Sequence, residues 1–131
     1  MSIDWEGMKR AARGARERAY APYSSFRVGA AVLANGRVFV GCNVENASFP
    51  VGICAERSAI AAAVAAGCPD LQAVVVMGPR PVAPCGMCRQ ALAEFNPRAA
   101  VLIAGADEGA DLETTLDRLL PQPFLPPSLT K

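Results

Sequence analysis

At 131 residues and 13.7 kDa the chain has room for one domain and one core. Hydrophobic residues make up 52% and charged residues 19%, which supplies a packed interior and excludes a disordered chain. Thirteen Lys and Arg face twelve Asp and Glu, so there is no general pull toward nucleic acid or anionic lipid, and the lack of any histidine excludes Ser-His-Asp and Cys-His catalysis and every imidazole metal site.

Asp4 to Tyr20 reads as an amphipathic helix. Trp5, Met8, Ala12, Ala15 and Ala19 recur at spacings of three and four, with Lys9, Arg10, Arg13, Arg16 and Arg18 mostly off that face. Met1 to Arg10 carries Asp4 and Glu6 and no apolar leader, so a secretory signal is not expected. No apolar run approaches the roughly 18–20 residues of a membrane span. Arg27 to Leu33 and Arg37 to Cys42 are strand-like runs, and Asn35-Gly36 between them is a hairpin signal.

Cys54 to Gly67 is an alanine-rich helix closed by Gly67 and Pro69. Ala73 to Met77 has no polar residue and reads as a strand covered on both faces. Cys85 to Phe95, bracketed by Pro84 and Pro97, is a helix. Ala99 to Ala104 is a second apolar strand, Asp111 to Thr115 a short one, and Leu116 to Leu120 a turn of helix. The Pro-rich tail, 121–131, is expected to lack regular structure. Strands alternating with helices late in the chain imply a parallel portion. The expectation is an α/β domain over 1–131, a mixed sheet with helices on both faces.

Five cysteines, an odd number, point away from a disulfide framework and toward thiols in a reducing cytoplasm. Cys54-Ala55-Glu56 opens one helix and Pro84-Cys85-Gly86-Met87-Cys88 another. Unpaired N–H groups at a helix start favour thiolate, the form that binds Zn²⁺. Cys68 lies fourteen residues beyond Cys54 on the same helix, about 21 Å away at 1.5 Å per residue, and cannot join them. Cys42, at a strand end, stays open as a fourth ligand. Three ligands leave a position for water, the catalytic arrangement, whereas four make a structural site. Glu56 would then take a proton from that water, and Arg57 or Arg89 would offset the charge of three thiolates. A redox pair at Cys85 and Cys88 is the competing reading of Cys-x-x-Cys. The joint pattern, Cys-x-Glu with Pro-Cys-x-x-Cys, matches the signature of zinc deaminases in its three-cysteine form.

The chain resembles the small homotetrameric cytidine deaminases over nearly its whole length. The likeness rests on Tyr20-Ala-Pro-Tyr-Ser-Ser-Phe-Arg-Val-Gly-Ala-Ala-Val32, Gly41-Cys-Asn-Val-Glu-Asn-Ala-Ser-Phe49, Cys54-Ala-Glu-Arg-Ser-Ala-Ile60 and Pro84-Cys-Gly-Met-Cys-Arg-Gln90. It implies a three-layer α/β/α fold with a five-stranded mixed sheet. It implies zinc-dependent hydrolysis of free cytidine and 2′-deoxycytidine to uridine and 2′-deoxyuridine with release of ammonia, a step of pyrimidine salvage. By position, Cys54, Cys85 and Cys88 match the zinc ligands, Glu56 the proton shuttle and Arg57 the arginine that bonds ligand sulfurs. Asn43 and Glu45 match the pair that binds the ribose 3′-hydroxyl, Ala55 the backbone that reads the base, and Phe26 an aromatic near the pyrimidine. Phe124 matches a phenylalanine that reaches a neighbouring subunit's pocket in a homotetramer with shared active sites. Two positions depart from the pattern: Phe49 stands where tyrosine is usual, and Leu125 where glycine is favoured. Competing functions are deamination of an aminocytosine antibiotic such as blasticidin S, nucleic-acid editing, and a non-enzymatic zinc module. Asn43 and Glu45 favour a nucleoside, and the absence of base-stacking aromatics argues against editing.

Overall fold

The computed structural model describes residues 2–126; the end of the Pro-rich tail, 127–131, lies outside the described residues. Helix α1 (Trp5–Arg16) opens on Asp4, whose carboxylate accepts from the Gly7 N–H at 3.0 Å. It buries Met8, Ala12 and Ala15, the expected stripe. It stops at Arg16 and does not run to Tyr20. Residues 17–20 leave the helix because Tyr20 pairs with the chain far ahead: its N–H donates to Asn43 O at 3.0 Å, and its carbonyl accepts from Glu45 N at 2.8 Å. A backbone engaged in that pairing cannot also serve the i−4 ladder, so tertiary contact overrides the local pattern.

Strands β1 (Gly29–Ala34) and β2 (Arg37–Cys42) form the expected hairpin, with Asn35 and Gly36 both at positive φ, 51° and 74°. β1 starts two residues later than Arg27, because Val28 N is taken by the Asn43 side chain. Helix α2 (Ala55–Ala65) and strand β3 (Leu71–Gly78) follow. β3 begins before Ala73. Its register against β1 shifts between Leu33 and Ala34, and Gln72 at the shift turns its side chain to accept from Gly36 N at 2.9 Å. Helix α3 (Gly86–Phe95), strand β4 (Ala100–Gly105), strand β5 (Leu112–Thr115) and the short helix α4 (Leu116–Leu119) complete the fold.

The sheet order is β2-β1-β3-β4-β5; only β3 and β4 are parallel, with α3 in the crossover between them. Alternation along the strands divides the core in two. Ala31, Ala73, Val75, Met77, Leu102 and Ala104 meet Met8 and Ala12 of α1. Val32, Val74, Val76, Val101 and Ile103 meet Ala59 and Ala63 of α2 and Leu92 of α3. The result is the expected three-layer α/β/α arrangement. Among the described residues no helix is long and apolar enough to cross a membrane.

One close approach fixes the working end of α2. A Cβ on Gly41 of β2 would lie 2.4 Å from Ala59 N and 2.5 Å from Ala55 O. Only glycine lets the first turns of α2 lie this near β2.

Candidate active site

Cys54 and Cys85 are the N-cap residues of α2 and α3, and Cys88 lies buried in the first turn of α3. Packing α2 beside α3 over the same sheet face brings both helix starts together. The three sulfurs lie within 4.8 Å of one another, with Cys54–Cys85 at 3.9 Å and Cys85–Cys88 at 3.5 Å. Two sulfurs bound tetrahedrally to one zinc at about 2.3 Å stand about 3.8 Å apart, so this donor set fits Zn²⁺ in spacing as well as in chemistry. Cys42 is not part of the cluster. Cys68 is buried at the far end of α2, where its sulfur meets Arg37 at 3.6 Å and Ala66 O at 3.7 Å.

Cys54 ionises readily. Hydrogen bonding from the Cys88 thiol, aided by the Arg57 guanidinium 3.8 Å away, lowers its pKa to about 5. Cys88, donor to Cys54 and buried, is pushed up. Of the two arginines weighed, Arg57, the one the resemblance implies, is the one at the sulfurs. Its Nε is buried without a hydrogen-bond partner among the described residues, so it has donor capacity to spare for further thiolate. Arg89 is engaged elsewhere, donating to Pro84 O at 2.8 Å and Leu119 O at 2.9 Å.

Glu56 is 4% exposed, the one charged residue that is buried among the described residues. Burial pushes its carboxyl above the ordinary carboxylate range, the direction a proton carrier near neutral pH requires. It lines an inner cavity of about 230 Å³ with Phe26, Ala55, Cys54, Cys85 and Val82. An outer cavity of about 480 Å³ adjoins it, sharing Asn43 and Cys54 as walls and adding Tyr23, Ser24, Glu45 and Phe49.

Asn43 and Glu45 line the outer cavity, and both are also tied to the protein. The Asn43 side chain donates to Phe26 O at 2.8 Å and accepts from Val28 N at 2.9 Å. Glu45 Oε1 accepts from Tyr23 N at 3.0 Å and Ser24 N at 3.1 Å, while Ser24 Oγ donates to Oε2. These donors, the Ser24 hydroxyl foremost, lower the Glu45 pKa. Sequence reading missed Tyr23 and Ser24. The signal was Pro22-Tyr-Ser-Ser, a turn-forming stretch whose donors need an acceptor; the positive φ of Ser25, 58°, marks the turn. Phe124 lines neither cavity within its own chain. It is 58% exposed, and its backbone is bonded to the Gln90 side chain.

The sequence profile of the cytidine and deoxycytidylate deaminase zinc-binding region matches residues 1–104. A cytidine deaminase of Sporosarcina psychrophila is 42% identical over 125 residues, 93% of this chain and 92% of that protein. One of Halalkalibacterium halodurans is 46% identical over 113 residues, 84% of this chain and 86% of that protein. The crystal structure of cytidine deaminase from Burkholderia pseudomallei superposes with a TM-score of 0.87 at 44% identity, covering 93% of this chain and all of that one.

Proposed function

The chain belongs to the cytidine and deoxycytidylate deaminase family, and from that premise we propose that it hydrolyses the C4 amino group of free cytidine and 2′-deoxycytidine. The products are uridine or 2′-deoxyuridine and ammonia. The observation that carries this reading is one small cavity lined both by thiols of a three-cysteine cluster at two helix starts and by a buried carboxylate.

Cys54, Cys85 and Cys88 would hold the metal. Bound there, zinc supplies the Lewis acidity that makes water a nucleophile near neutral pH. Glu56 takes the proton from the water that attacks C4 and passes it to N3 of the pyrimidine; it then carries the proton of the new C4 hydroxyl to the amino group, so that the C4–N bond breaks, ammonia leaves and the C4 carbonyl forms. Arg57 offsets the negative charge of the sulfurs. Phe26 and Val82 wall the base in, and Ala55 offers backbone to its edge. Asn43 and Glu45 face the sugar from the shared and outer walls.

The family covers both nucleosides and nucleotides, and the outer cavity favours the nucleoside. Its charged lining residue is Glu45, and no lysine or arginine stands among its described walls. A 5′-phosphate there would face a carboxylate with no cation to balance it. Three of the four basic residues of α1 are engaged within the protein, which weighs against a nucleic-acid ligand. Lys9 is paired with Asp111 at 2.7 Å, while Arg13 and Arg16 donate to Ala106 O and Arg27 O. Five free thiols suit a reducing cytoplasm, where this reading places the protein. The test is a panel of cytidine, 2′-deoxycytidine, deoxycytidylate, cytosine and blasticidin S offered to the zinc-loaded protein. The two nucleosides should be turned over far faster than the rest; preference for deoxycytidylate or blasticidin S would overturn the assignment.

The same reading makes the protein a homotetramer in which Phe124 of one chain completes a neighbour's pocket. Support comes from the exposed apolar rim of the outer cavity, where Phe49 is 75% and Tyr23 53% exposed. Mixing inactive Glu56→Gln and Phe124→Ala chains should restore about a quarter of all sites if the tail acts in trans, and none if it acts in cis.

A further inference from the structure

Two consecutive residues of α3 hold the C-terminal segment, and both directly follow the cysteine Cys88. The Arg89 guanidinium forks between two carbonyls. Nε donates to Pro84 O at 2.8 Å, the residue before Cys85, and Nη1 donates to Leu119 O at 2.9 Å, at the end of α4. Gln90 pairs with the backbone of Phe124 in both directions: Nε2 donates to its carbonyl at 2.6 Å, and Oε1 accepts from its N–H at 3.2 Å. The segment that carries these anchors packs Leu119, Leu120 and Leu125 against the core. A planar guanidinium fixes the separation of the two carbonyls it bridges, which a flexible ammonium does not. A side-chain amide paired twice fixes the path and orientation of the strand it meets.

We propose that Arg89 and Gln90 are positioning residues that couple the three-cysteine site to the C-terminal segment, so that tail docking stiffens the loop 79–85 that leads from β3 to Cys85, and an ordered loop holds Phe124 in place. This rests on Cys85 and Cys88 as metal ligands. Coupling of this kind is reciprocal: whatever releases the tail loosens the metal, and the reverse. Fraying at Phe124 would then be felt at the sulfurs through one turn of helix.

The test uses the full-length zinc-loaded protein. Zinc release to a chromogenic chelator is followed for the parent, Arg89→Lys and Gln90→Ala, and deuterium uptake is measured over residues 119–125 and over β3. Arg89→Lys keeps the charge but loses the fork, and should release zinc about tenfold faster, the low end for partners of metal ligands. Gln90→Ala, which removes a side chain whose hydrogen bonds among the described residues go to the Phe124 backbone, should speed release severalfold. Both should raise uptake over 119–125 and leave β3 protected, whereas general destabilisation would raise both. Parental release in Gln90→Ala together with faster tail exchange would overturn the coupling while leaving the metal assignment intact. A parent protein that binds no zinc would overturn the metal assignment and the coupling with it.

Discussion

Gly41→Ala is the sharpest structural perturbation of the catalytic end. The added methyl would meet Ala59 N at 2.4 Å, Ala55 O at 2.5 Å and Ser58 Cβ at 2.8 Å, all in the first turns of α2. Carbon contacts are comfortable at about 3.5–4.0 Å, so α2 must retreat from β2 by about 1 Å. Cys54 and Glu56 ride on that end of α2, while Cys85 and Cys88 ride on α3. The retreat therefore opens the sulfur cluster and moves the carboxylate away from the base. Overpacking of this kind costs about 1–3 kcal/mol of stability. A 1 Å misplacement of reacting groups lowers kcat/KM on the order of 10²-fold. The assay is kcat/KM for cytidine with zinc content and thermal unfolding measured on the same preparations. Gly14→Ala serves as the control, since a Cβ there meets nothing within 4 Å; it should add about 0.5–1 kcal/mol and leave turnover alone. A Gly41→Ala protein with parental kcat/KM and parental stability would refute the claim that this contact sets the site.

Glu56→Gln should retain its zinc and lose nearly all turnover; near-parental activity would remove Glu56 from the proton path. Glu45→Ala should lower kcat/KM for cytidine while changing free cytosine little, because remote sugar contacts help position the base. Equal losses on both substrates would show that the bonds to Tyr23 and Ser24 are the whole role of Glu45. In metal-stripped protein the Cys54 thiol, with its pKa near 5, should be alkylated at a rate that falls only as pH drops through about 5, since the thiolate is the nucleophile. A midpoint near the ordinary thiol value of about 8.5 would contradict the geometry around it.

The site was legible where chemistry depends on residue type at short spacing. Cys54-x-Glu56 and Pro84-Cys-x-x-Cys88 each sit at a helix start, and the structure brings both together. The apolar runs of β3 and β4 and the Asn35-Gly36 turn were equally plain, since local pattern and tertiary burial agree there. What escaped is long-range. The end of α1 depends on Tyr20 finding residues 43–45, and the start of β3 on a register shift opposite Leu33 and Ala34. The resemblance pointed to Arg57, but why Arg89 stays away from the sulfurs is seen only with the carbonyls of Pro84 and Leu119 in place. The pairing of Gln90 with Phe124 spans thirty-four positions and leaves no periodic trace.

The central claim is a zinc-dependent deaminase whose metal is held by Cys54, Cys85 and Cys88. Its most direct test is titration of metal-stripped protein with zinc while ammonia and uridine formed from cytidine are measured together. Both products should appear in equal amounts and rise to a plateau at one zinc per chain, with Cys88→Ala failing to respond. Undiminished turnover without zinc, or zinc-loaded protein that releases no ammonia from cytidine, would contradict the account.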